Sequence, residues 1–182
     1  MSQKKLLNKK EIHIILHRLA CQLIENHNSF EDTILIGIQP RGTFLAKRLI
    51  EILKNDYNID TIDYGELDIT FYRDDFRRRE EPLQACETNI NFIVENKKVV
   101  FIDDVLFSGR SIRAALTAIQ SYGRPKAIEL LVLIDRRFSR NLPIQPDYKG
   151  RQVDAINSEK VKVSWKENNN KDAVYLIKTK LK

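Results

Sequence analysis

The sequence lacks the features that would place it in a membrane, a secretory pathway or a metal cage. Its longest unbroken apolar runs are about five residues, against the roughly 20 that a membrane-spanning helix needs, so no membrane partner is expected. Cys21 and Cys86 are the two cysteines, with no CxxC spacing and no set of pairs. Reduced thiols and a cytoplasmic location are expected from that. The basic start, MSQKKLLNKKEIHIILHRL, is broken by charge before the apolar core of a signal peptide can form. Internal repeats and low-complexity linkers are also missing. Histidine is scarce: His13 and His17 stand with Cys21 at i, i+4 and i+8. The outer two of these lie about 12 Å apart along a helix, too far to share one ion, so a polar helix flank is the better reading.

What is present is apolar patterning and an excess of positive charge. With 182 residues, 42% of them hydrophobic, the chain can bury a proper core and reads as one domain. The net charge of +6 favours an anionic partner, either a phosphorylated metabolite or nucleic acid. Residues 8–27 read as an amphipathic helix, with Ile12, Ile15, Leu16, Leu19 and Leu23 at three- and four-residue steps. TILIGI (33–38) reads as a buried strand, and RGTFLAKRLIEIL as a helix with Phe44, Leu45, Leu49, Ile52 and Leu53 inward. LDITFY (67–72) reads as a strand before the charged stretch RDDFRRREEP. Strand 99–103 leads into helix 111–122, whose core stripe is Ile112, Ala115, Leu116, Ile119 and Tyr122, closed by Gly123 and Pro125. IELLVLID (128–135) is a further buried strand, and VKVSW and AVYLIK are two short strand candidates.

Apolar strands alternating with amphipathic helices argue for an α/β fold with a parallel sheet covered on both faces. In such sheets ligands collect outside the carboxyl ends of the strands. The loops QPRG, DDVLFSGRS and DRRFSR should therefore share one mouth.

The stretch VVFIDDVLFSGRS (99–111) carries the chemistry. Ser108, Gly109, Arg110 and Ser111 join a strand to a helix N-terminus, where free N–H groups and the helix dipole favour a phosphate. Gly109 permits close backbone approach and the serine hydroxyls add donors. The alternative is that Ser111 merely caps the helix. The loop is neither a Walker A sequence nor GxGxxG. Asp103 and Asp104 repel a phosphate but suit the 2′- and 3′-hydroxyls of a ribose whose 5′-phosphate lies in the loop. A turn-forming Asp pair or a Mg²⁺ site are the other readings.

This stretch resembles the thirteen-residue phosphoribosyl-pyrophosphate (PRPP) signature of the type I phosphoribosyltransferases. The segments GIQPRGTFLAKRL, GELDITFYRDD, GRPKAIELLVLIDR, LPIQPDY and SEKVKV further resemble, in order, the PyrR family of bifunctional pyrimidine-operon regulators with uracil phosphoribosyltransferase activity. The resemblance implies a type I phosphoribosyltransferase-like parallel sheet flanked by helices with a small hood: one domain over 1–182, a mobile loop at about 73–96 and a hood at about 135–182. It implies transfer of a phosphoribosyl group from PRPP to uracil, giving UMP and pyrophosphate, combined with UMP-dependent binding of pyrimidine-operon mRNA. An RNA-binding attenuator with minor catalysis, or transfer to another base, are the alternatives. A homo-oligomer, dimer or higher, is expected.

Carried onto this chain, the signature places the 5′-phosphate on the backbone and hydroxyls of Ser108, Gly109, Arg110 and Ser111, with Val105, Leu106 and Phe107 among the substrate-binding residues. Asp103 and Asp104 would hold the ribose hydroxyls and stabilise positive charge on the sugar ring. Pro40 and Arg41 match the pyrophosphate loop, and Arg73 is the candidate mobile-loop cation, the alternative being a solvated charged loop. Arg136 and the main chain near Val161 match positions at the base. Mg²⁺ would arrive with PRPP rather than on protein ligands. Three departures stand out. Pro40 replaces the usual Thr and removes a backbone donor. DRRFSRNLPI replaces the usual DRGHRELPI, and Cys21 stands where a His is common. The last two fall on the RNA-facing side, where Arg136, Arg137, Arg140, Arg151 and the first-helix cations could still meet phosphates. Lys160, Lys162, Lys166, Lys178, Lys180 and Lys182 suit either RNA or solubility.

Overall fold

The computed structural model describes residues 3–74, 85–156 and 158–178. The charged stretch after Asp74, Lys180 and Lys182 therefore lie outside the described residues, in part or wholly.

TILIGI forms β2 (Thr33–Ile38), buried at every position. Its neighbours are β3 (Asp63–Leu67) and β4 (Lys98–Leu106), both parallel to it. Beyond β4 come β5 (Ala127–Arg137) and β6 (Tyr148–Asp154), again parallel, giving the order β3-β2-β4-β5-β6. Strands covered on both faces must be apolar on both, and their alternate residues divide between two cores. Leu35, Val100, Ile102, Leu131 and Leu133 face one side, with α1 (Lys9–His27) and α2 (Gly42–Tyr57). Ile34, Ile36, Val99, Phe101, Leu130 and Val132 face the other, with α3 (Arg110–Ile119). Each such side chain contributes about 1.5–3 kcal/mol on burial. Helix α1 opens on a capping box: the Asn8 side chain accepts from Glu11 N at 3.0 Å, and Glu11 Oε2 accepts from Asn8 N at 2.7 Å.

A second sheet, antiparallel and ordered β1-β8-β7, joins β1 (Gln3–Leu7), β8 (Ala173–Lys178) and β7 (Glu159–Ser164). VKVSW and AVYLIK thus pair with each other. The N-terminal strand of this sheet was not foreseen, nor was β6. Both are short and charged, with exposed residues interleaved, so they lack the apolar run that marked the central strands. A short helix, α4 (Lys166–Asn169), links β7 to β8.

Two expectations need correction. The strand placed at 67–72 lies earlier, at 63–67, and 70–72 is a 3-10 turn. Asp68 decides this: its Oδ1 accepts from Thr70 N at 2.9 Å and Thr70 Oγ1 at 2.6 Å, a local turn that outcompetes the ladder. Phe71 and Tyr72 are exposed as a result. Tyr122, read as core, is also exposed, because α3 ends at Ile119 and a 3-10 turn carries 120–122 outward.

Candidate active site at the carboxyl edge of the main sheet

Strand β4 delivers Asp103 and Asp104 to the carboxyl edge between β2 and β5, where the sheet order switches direction. Asp103 Oδ1 accepts from Asp104 N at 2.8 Å. Asp104 is buried and its Oδ2 lies 2.9 Å from Arg41 Nε. Burial pushes the Asp103 carboxyl up to about 8, with the Asp104 charge adding to the effect and the cations of Arg41 and Arg73 opposing it. Burial also raises Asp104, against Arg41. The pair is therefore a site of negative charge that the protein alone compensates incompletely.

Past β4 the chain enters the phosphate-type loop. Gly109 has φ +88°, the left-handed region that suits glycine. It is the N-cap of α3, and no side chain caps that helix. The reading of Ser111 as a cap is thereby overturned: it sits inside the first turn, half-buried. Ser108 Oγ reaches Arg110 N only at 3.5 Å. The first N–H groups of α3 open instead on a cavity of about 250 Å³ lined by Arg73, Asp74, Asp103, Val105–Ile112. A neighbouring cavity of about 170 Å³ is lined by Pro40, Arg41, Arg73, Asp103, Asp104 and Ser111, among others. The two share Arg73, Asp103, Val105 and Ser111, so the acid pair stands between the β4–α3 loop and a second polar chamber.

The second chamber is built by the turn into α2. Gln39–Pro40 is a cis peptide, and Thr43 Oγ1 donates to Pro40 O at 3.0 Å. A Cβ on Gly42 would stand 2.1 Å from Ile102 O, so only glycine lets α2 start against β4. Arg41 also donates through Nη2 to Val163 O, tying this loop to β7 of the small sheet.

Arg136 and Val161 lie outside both cavities. Arg136 is buried, donates to Glu159 O at 3.0 Å and lies over the Phe107 ring at 4.0 Å. Val161 is buried in β7. Among the described residues no group of three or more His, Cys, Asp or Glu is placed to hold a metal ion. His13 and His17 make a ring contact at 4.3 Å, and Cys21 Sγ lies 3.0 Å from Tyr57 Oη, as fits a helix flank.

Residues 2–168 match the phosphoribosyl transferase domain family. The chain is 38% identical over 178 residues to the bifunctional protein PyrR of Enterococcus faecalis, covering 98% of each. Against its counterpart from Desulfosudis oleivorans it is 41% identical over 92% of each. The chain belongs to the PyrR family. Solved structures agree on the architecture. A hypoxanthine phosphoribosyltransferase from Staphylococcus aureus matches with a TM-score of 0.69 at 22% identity, over 97% of this chain and 93% of that one. One from Trypanosoma cruzi matches at 0.70 and 14%, over 97% of each. At those identities the likeness shows the type I phosphoribosyltransferase fold alone.

Two side chains of this PyrR-family site were not singled out for the roles they occupy. Asp74, at the entrance, lies 3.0 Å from Arg113 Nη2 and 3.6 Å from Arg110 Nη1. Its acidity beside an anion loop gave no sequence signal, because its partners are remote along the chain. Arg140 was read as a surface cation and is instead a clamp among backbone carbonyls. Asp135, which closes the apolar run of β5 as Asp103 closes that of β4, was the available clue that a partner cation was needed.

Proposed function

We propose that the protein transfers the phosphoribosyl group of PRPP to uracil, giving UMP and pyrophosphate, and that it couples UMP binding to RNA-level control of pyrimidine genes. The carrying observation is the side-chain-uncapped N-terminus of α3, with Gly109 left-handed, directly beside an acid pair of which Asp104 is buried and Asp103 half-buried. Free N–H groups and the helix dipole suit the 5′-phosphate, with Ser108–Ser111 as its cradle. Asp103 and Asp104 accept hydrogen bonds from the ribose hydroxyls. As the C1′–pyrophosphate bond breaks and the bond to uracil N1 forms, with loss of the N1 proton, their charge stabilises the positive sugar ring. Arg41 and the Pro40 turn border the chamber for the leaving pyrophosphate, where Arg73 adds a second cation. Catalysis rests on positioning and electrostatics, with no protein nucleophile.

The acid pair offers oxygen donors and excess negative charge, which fit a hard divalent cation carried in by the substrate. Mg²⁺ bound with PRPP would supply charge neutralisation on the pyrophosphate. Closure of a loop spanning about 73–96 would exclude water, and a hood drawn from about 135–182 would cover the base, with Arg136 and Val161 at its margin. The protein would work in the cytoplasm as a homo-oligomer; its free thiols Cys21 and Cys86 suit a reducing compartment.

The test is a steady-state assay with PRPP, Mg²⁺ and a panel of uracil, hypoxanthine and guanine. Uracil turnover well above that of both purines is the expected result, and a purine preference would overturn the base assignment. Binding of a pyrimidine-operon leader hairpin, measured in the same preparation with and without UMP, reads the regulatory half.

A further inference from the structure

Directly behind the phosphate-type loop lies a segment that departs from the family pattern, RRFSRN, and Arg140 of that segment is fully engaged. Its Nε donates to Ile144 O at 3.0 Å. Nη1 donates to Leu106 O at 3.2 Å, to Arg136 O at 2.9 Å and to Phe107 O, while Nη2 pairs with the Asp135 carboxylate. Asp135 is buried, and its other oxygen accepts from Gln152 Nε2 at 3.2 Å. The next residue continues the pattern: Asn141 N donates to Ser108 O at 3.0 Å.

Three successive carbonyls, those of Leu106, Phe107 and Ser108, are thus held from residues 140–141. A trans peptide is planar, so the N–H following each carbonyl points the opposite way. The amides of Phe107, Ser108 and Gly109 are therefore turned away from Arg140. Those three residues line the 250 Å³ cavity, and Arg140 does not.

We propose that Arg140 is a positioning residue for the 5′-phosphate: it sets the rotation of the 106–108 peptides so that their N–H groups face the phosphate of PRPP or UMP. This rests on the phosphoribosyl-transfer reading above. Only a planar fork of donors can hold carbonyls and a carboxylate at once; the single ammonium of a lysine cannot. The role also removes Arg140 from the cations available to RNA.

The experiment compares wild type, Arg140→Lys and Arg140→Ala, with UMP and uridine as probes in calorimetry and with PRPP in steady-state kinetics. Uridine shares everything with UMP except the phosphate. The expected result for both variants is UMP affinity and PRPP KM worsened about tenfold or more, with uridine affinity and the KM for uracil unchanged. Added guanidinium ion should partly restore Arg140→Ala. Should Arg140→Ala fail to fold, Arg140→Lys, which keeps the charge but loses the fork, decides alone. Unchanged UMP affinity in a folded variant, or equal losses for UMP and uridine, would overturn the proposal. Absence of UMP and PRPP binding by the wild type would instead overturn the phosphoribosyl reading itself.

Discussion

Strands β4 and β5 lie side by side and run parallel, and their apolar runs close on nearly the same letters, Ile-Asp-Asp and Ile-Asp-Arg. Their fates differ. At the end of β5, Asp135 is buried against Arg140 and Gln152, and Arg136 is stacked on Phe107. At the end of β4, Asp104 has Arg41, while Asp103 has a backbone N–H and a carboxyl pushed up toward about 8. The acid at β5 is compensated by the protein; the acids at β4 are left partly uncompensated, facing a cavity. On the proposed reading, an acidic strand end serves binding where the fold withholds the counter-charge, and becomes a structural clamp where it supplies it.

The largest expected effect tests the β4 side. Asp104→Asn and Asp103→Asn should each lower kcat by about 10²–10³ while the fold is kept, since each removes an ionisable carboxylate from an electrostatic site. Near-full activity in both would show that the pair does not face the reacting sugar. The β5 side should respond in the other currency. Asp135→Ala leaves a half-buried guanidinium without its carboxylate and should lower stability by about 3 kcal/mol, the low end for a broken buried pair. Urea unfolding measures it. A loss under about 1 kcal/mol would make the clamp no stronger than a surface pair.

The contrast also shows what was legible beforehand. Central strands β2, β4 and β5 are apolar runs and were visible as such, as was the strand–turn–helix between β4 and α3, announced by its residue types. The clamp was not legible, because Arg140 looks like any loop cation until five acceptors converge on it. Nor was the β3 register, since Asp68 redirects an apparently regular strand into a turn through side-chain bonds that no periodicity records. Strands β1 and β6 are held by partners rather than by their own hydrophobicity.

Gly109 joins the two sides, since it caps α3 at φ +88° while an added Cβ would stand 3.2 Å from Ile144 Cδ1 on the clamp segment. Gly109→Val should weaken PRPP and UMP together by about tenfold, the scale of left-handed strain for a non-glycine residue. Calorimetry showing unchanged affinity for both would mean that the phosphate binds elsewhere.

A smaller effect follows from protons. Asp103 is raised from 3.8 to about 8 in the folded chain, so the folded state binds the proton more tightly than the unfolded state. Stability contributed by the protonated form is full below about pH 4 and is lost as pH rises toward 8. The ligand-free protein should therefore melt lower at pH 8 than at pH 6, by about 2–4 °C for each kcal/mol lost, and Asp103→Asn should reduce that slope. An equal slope in the variant would assign the proton to another group.

The smallest expected effect concerns RNA, and it follows from where the β5 arginines are engaged. Arg136 and Arg140 donate to protein carbonyls, Arg137 is paired with Asp154 at 2.6 Å, and Arg151 donates to Leu6 O at 2.7 Å. Arg18 on α1 likewise reaches Lys149 O at 3.2 Å. These five arginines would each have to break a bond before neutralising a phosphate. Binding to a pyrimidine-operon leader hairpin should be weak and dominated by counterion release. With about two phosphates neutralised, affinity should fall roughly tenfold between 50 and 200 mM salt. A scrambled hairpin should behave nearly alike, and Arg137→Ala should change either titration little. Tight binding that prefers the true hairpin, survives 200 mM salt and is strengthened by UMP would break the comparison. It would mean that the β5 end surrenders its internal pairs to RNA and serves as a second ligand site, beside the one proposed at the β4 end for the sugar phosphate.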